Sequence, residues 1–175
     1  MKGYRLSPQQ QRLWRLLGEN GPRGRTPFWS QAVLRLSGEP ERRRLEEAVR
    51  LLVKRHELLR TGFAALPGMG LPLQVIDEHG VPPVITWHEL EGRSVGHARL
   101  LLDQVLAAAR EQAVEWEQGI TLQVAVLGPV GREREWWLAL SLPALYGDAQ
   151  GLSNLGRELG RCYATGAETL AADEV

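Results

Sequence analysis

Apolar positions in this chain follow two periods. Four stretches repeat at helical spacing. Leu6-Ser7-Pro8-Gln9-Gln10 reads as a helix start: Ser7 caps, Pro8 fits the first position, and Gln10 completes a capping box. Gln10, Leu13, Trp14 and Leu17 then share one face. Leu45, Ala48, Val49 and Leu52 form a second stripe after the breaker Ser37-Gly38-Glu39-Pro40, with Arg42, Arg43, Glu46 and Glu47 outside. Ser94 to Glu117 predicts the longest helix, its stripe running from Ala98 through Leu101, Leu102, Val105, Leu106, Ala109 and Ala113 to Trp116. The last helix covers about Gly151 to Ala164 and carries Leu152, Leu155 and Leu159.

Between these lie segments with strand character. Phe28 to Leu36 roughly alternates; Arg60 to Ala65, Leu73 to Ile76 and Val84 to Trp87 are short. Thr121 to Leu127 and Arg134 to Leu142 flank Gly128-Pro129-Val130-Gly131 and predict an antiparallel hairpin. Trp136 and Trp137 must point to opposite sides of that strand, so one is expected in the core and the other toward a partner. Strands mixed with unequal helices predict α+β architecture, a mixed sheet with helices packed on one face. Residues 1–165 read as one domain, and the small, acidic stretch 166–175 as a tail or linker.

Charge removes several functions. Twenty-one Lys and Arg balance 21 Asp and Glu, which argues against nucleic acid or an anionic membrane as partner. No apolar run approaches the length of a membrane span. A lone cysteine, Cys162, cannot close an internal disulfide and suits a reducing cytoplasm. His79, His88 and His97 show no metal spacing, so neither a metal nor a bound cofactor is expected. Ser141 has no base near it in sequence.

The stretch from Trp136 to Leu159 organises the rest: an apolar strand, a loop at Ser141 to Tyr146, a turn at Gly147-Asp148, then a helix. Three stretches resemble the first three core motifs of the condensation domains of nonribosomal peptide synthetases. The first is Leu6-Ser7-Pro8-Gln9-Gln10-Gln11-Arg12-Leu13-Trp14-Arg15-Leu16. The second is Arg55-His56-Glu57-Leu58-Leu59-Arg60-Thr61-Gly62-Phe63. The third aligns Pro143-Ala144-Leu145-Tyr146-Gly147-Asp148-Ala149 with two histidines, three free positions and Asp-Gly.

The resemblance implies a chloramphenicol acetyltransferase-like fold. It also implies a two-lobed domain with its active-site tunnel between the lobes, this chain being the N-terminal lobe. The second histidine of the family motif handles the proton of the attacking amine, work for a group titrating near neutrality. Ala144 stands there, and Pro143 replaces the first histidine. No catalytic residue is therefore carried over. Asp148 is retained. The resemblance pairs it with an Arg of the second motif, Arg60 first and Arg55 second, and that pair is the preferred expectation; its position also allows a helix cap. His56 is implied to be structural. The expected role is a truncated, inactive module contacting an adenylation domain, a phosphopantetheine-bearing carrier protein, a complementary lobe or a second copy. The rival is half of an active acyltransferase completed by another lobe.

Overall fold

A computed structural model describes residues 3–17, 26–120 and 122–165. The elements are β1 (Gly3–Arg5), α1 (Pro8–Leu16), β2 (Trp29–Leu36), α2 (Arg42–Arg55), a 3-10 turn (Glu57–Arg60), β3 (Thr61–Ala64), β4 (Leu73–Ile76), β5 (Val84–Glu89), α3 (Val95–Arg110), β6 (Gln123–Val130), β7 (Glu135–Pro143) and α4 (Ala149–Thr165). They build a small sheet, β1-β4-β3, and a larger one, β2-β7-β6-β5. All ladders are antiparallel except β5 with β6, which α3 joins as a crossover.

The N-terminus of α1 forms as its residues predict. Gln10 N–H donates to Ser7 Oγ at 3.2 Å, and Gln10 Oε1 accepts from Ser7 N–H at 2.9 Å. The strand β1 carries no apolar pattern and escapes a reading by periodicity. It exists because Gly3, Tyr4 and Arg5 lie along β4.

Helices cover both faces of the larger sheet, not one. Val124, Val126, Trp136, Leu138, Leu140 and Leu142 point into a first core with α2 and α4. Ala125, Leu127, Trp137 and Ala139 point into a second core, where Ala98, Leu101, Leu102, Val105 and Leu106 of α3 meet them. Strands covered on both faces read as unbroken apolar runs, which is why β7 shows no alternation.

Two expectations change with this. Trp137 is not offered to a partner: it is buried beneath α3, as Trp136 is buried on the other side. And α3 stops at Arg110, short of the expected Glu117. The second core ends there. Val114, Trp116 and Ile120 belong to the first core, on the opposite face, and a straight helix cannot serve both. The segment beyond Arg110 is instead pinned by a hydrogen bond from Phe63 N–H to Trp116 O at 2.6 Å.

The predicted tail lies outside the described residues. Cys162 of α4 is buried in the first core.

Candidate functional site

The three motifs converge on one open groove of about 470 Å³. Ser7, Gln10 and Leu13 of the first motif line one side; His56, Leu58 and Leu59 of the second line another; Ala144 to Asp148 and the first turns of α4 form the third.

Each part is held by a specific contact. Gln10 Nε2 donates to Leu145 O at 3.3 Å and to Gln74 Oε1 at 3.1 Å, so the first motif grips the loop of the third. Ala144 N–H donates to Phe28 O at 2.9 Å, extending the β2–β7 ladder past Pro143, whose ring has no N–H to give. Ser30 Oγ donates to Gly147 O at 2.6 Å. Tyr146 N–H reaches back to Pro143 O and closes the turn. Ala144 is half-buried, and its methyl group can neither donate nor accept a proton.

Tyr146 is the nearest alternative acid or base by sequence, and its surroundings exclude that work. Its ring is 1% exposed, stacked on Trp116 with centroids 6.1 Å apart and set edge-on to Phe63. The hydroxyl has no hydrogen-bond partner among the described residues. Burial drives the phenol well above its ordinary range, so it stays protonated at any working pH.

Arg60 and Asp148 do not pair. Arg60 Nη1 donates to the carbonyls of Asp77 at 2.5 Å and Glu78 at 3.2 Å, and its stem packs on Gly80. Asp148 caps α4: its Oδ1 accepts from Gly151 N–H at 2.8 Å. The physical reason is local. The Asp77 carboxylate already folds the 77–80 turn around His79 and Gly80 N–H, which presents two carbonyls to Arg60. Asp148 meanwhile satisfies a free donor of its own helix.

The charged contact of the second motif falls elsewhere. Arg55 Nε donates to Glu158 Oε1 at 3.2 Å, and His56 Nε2 lies 2.9 Å from Glu158 Oε2. One carboxylate on α4 thus ties both leading residues of the motif to the helix that follows the third. The resemblance gave His56 a structural role and did not name Glu158 as its partner. The available signal was that Glu158 is the single acidic residue of α4, set between Leu155 and Leu159. No group of three or more His, Cys, Asp or Glu residues that could hold a metal occurs among the described residues.

The sequence profile of the family described as Condensation domain matches residues 1–172. The chain belongs to the condensation domain family. A dimodular nonribosomal peptide synthase of Bacillus subtilis (strain 168) is 32% identical over 161 residues, covering 91% of this chain and 6% of the relative. A probable non-canonical nonribosomal peptide synthetase, CymA, of Salinispora arenicola is 34% identical, again over 91% of the chain and 2% of the relative. Among solved structures, the starter condensation domain of rhizomide synthetase RzmA superposes with a TM-score of 0.74 at 18% identity. The condensation domain of the Monacolin K polyketide synthase MokA gives 0.72 at 20%. Both share the fold. The chain covers 97% of itself but 39% of the first structure, and 94% and 35% for the second. This condensation domain segment thus spans about two fifths of those solved chains. No helix of the described residues is long and apolar enough to cross a membrane.

Proposed function

We propose that this condensation-type lobe has lost histidine-dependent acyl transfer at its third motif. It serves as a structural and protein-interaction module of a nonribosomal peptide synthetase system. The carrying observation is Ala144 in the wall of a groove whose surrounding parts are held in place. The motif loop is held by Gln10, Phe28 and Ser30, α4 is capped by Asp148, and no side chain at residue 144 can take a proton from an amine. The partners this reading names are other synthetase domains: an adenylation domain, a carrier protein, a complementary lobe, or a second copy of the chain. It needs no bound cofactor and places the protein in the cytoplasm.

The test is amide formation by the purified chain, given an acyl thioester and an amine and read by mass spectrometry. Product no faster than the uncatalysed background is expected; enzyme-dependent product overturns the reading. A second reading has one observation in its favour, since the chain spans about two fifths of the solved condensation domains. In that reading the groove is one wall of a tunnel completed by another lobe. Mixing the chain with a complementary lobe and acyl-loaded carrier protein decides it: amide appearing only in the mixture favours the second reading.

A further inference from the structure

The charge of this protein is balanced in total but uneven between its elements. Together α2 and α4 carry eight Arg or Lys (Arg42, Arg43, Arg44, Arg50, Lys54, Arg55, Arg157, Arg161) against three Glu, a surplus of five in a chain whose sum is zero. The three carboxylates are already engaged within the layer: Glu46 with Arg42 and Arg50, Glu47 with Arg43, Glu158 with Arg55 and His56. The remaining cations are exposed and, among the described residues, meet no carboxylate. Arg44 bonds the carbonyl of Ala164 and lies over the Tyr163 ring, and Arg157 turns to Asn154. Among the described residues, no carboxylate lies within ion-pair distance of Lys54 or Arg161.

These charges share one surface. The helices pack side by side, tied at one level by Arg44 to Ala164 and at another by Arg55 to Glu158. Arg161 falls between those levels on the outer side of α4. Lys54 lies one residue before Arg55 on the outer side of α2. Leu51 of α2 is half-buried, packed against the first core with part of its side chain left exposed.

We infer that the outer α2–α4 seam docks an acidic protein surface, an amphipathic helix or helix pair rich in Glu and Asp. Complementary charge selects it. Unneutralised cations attract carboxylates, Arg forks match them in two-point contacts, and Leu51 supplies a small apolar centre. Nucleic acid fits less well: a long phosphate chain needs a basic excess over the whole protein to draw it in, and the total here is balanced. The inference rests on the interaction-module reading and adds to it a surface and a partner chemistry. It does not depend on the groove, so the amide assay and the experiment below can fail separately.

The test uses a fluorescent, glutamate-rich amphipathic helical peptide, titrated with the whole chain at low and high salt. Binding that weakens with salt is expected. Lys54→Glu with Arg161→Glu should weaken it about tenfold, since two attractive contacts become repulsive. Both side chains are exposed and unpartnered, so circular dichroism and Tm should not change. Arg93→Glu with Arg132→Glu, on the far side of the sheet, should leave binding as it was. Three results overturn the inference: no binding of the peptide, binding indifferent to the Lys54/Arg161 reversal, or tighter binding of a DNA duplex or phosphatidylserine vesicles at the same salt.

Discussion

Gly62 offers the sharpest test of how the second motif is held. It lies in β3, where the Phe63–Trp116 hydrogen bond draws the segment after α3 against the strand. A Cβ built on Gly62 would stand 3.1 Å from the carbonyl carbon of Glu117 and 3.3 Å from Gly119 N, and closer still to the carbonyl oxygen of Glu117. All three neighbours are backbone, so no side chain can swing away. Gly62→Ala must push the strand and the 116–119 segment apart by the better part of an ångström. Overpacking of this kind costs about 1–3 kcal/mol. Straining or losing the Phe63–Trp116 bond adds about 1 kcal/mol, for a total near 3 kcal/mol. Gly160→Ala is the internal control. It lies on exposed α4 surface with nothing within 4 Å of its Cβ, and the better helix propensity of alanine should stabilise by up to about 1 kcal/mol. Urea denaturation of the three proteins, with the slope checked for constancy, measures both changes. If Gly62→Ala falls within about 0.5 kcal/mol of the parent, the backbone approach is wrong and so is the account of why α3 ends where it does.

Three further outcomes follow from the same structure. Tyr146→Phe should be neutral or stabilising, because the buried hydroxyl it removes has no partner among the described residues; a loss above about 1 kcal/mol in denaturation would show a hydrogen bond that the fold does not display. Glu158→Gln should lower stability by about 1 kcal/mol, the usual scale for a half-exposed charged contact, and increase amide exchange around residue 158 in α4 and in the 56–60 turn; unchanged exchange would refute the tie. The Asp77 carboxyl is held below its ordinary value of 3.8 by hydrogen bonds from Gly80 and His79 N–H. Its contribution is therefore fully present above that value and is lost as pH falls through the lower, folded one. A carboxyl titration by NMR should place its midpoint below 3.8, and a midpoint above that would contradict the turn.

How much of this was legible beforehand depends on range. The capping box at Ser7–Gln10 is written within four residues, and it forms as its residues dictate. The amphipathic stripes of α2 and α4 are local in the same sense, as is the strand from Leu73 to Ile76. The motif order was also legible, and the family followed from it. Contacts between distant residues were not. Arg60 and Asp148 were expected to pair because the family resemblance pairs an Arg of the second motif with the Asp of the third. Each instead found nearer groups: the carbonyls of Asp77 and Glu78 for one, a helix N–H for the other.

The sequence by itself determined the helices, most strands, and the methyl group at residue 144, because these depend on side-chain identity and on periods of two or a few residues. The tertiary structure alone decided that both faces of the larger sheet are covered, that Trp116 leaves its helix, and that Glu158 gathers Arg55 and His56. Those outcomes turn on which distant surfaces compete for the same apolar area and the same charge. That competition is settled only when the chain closes on itself.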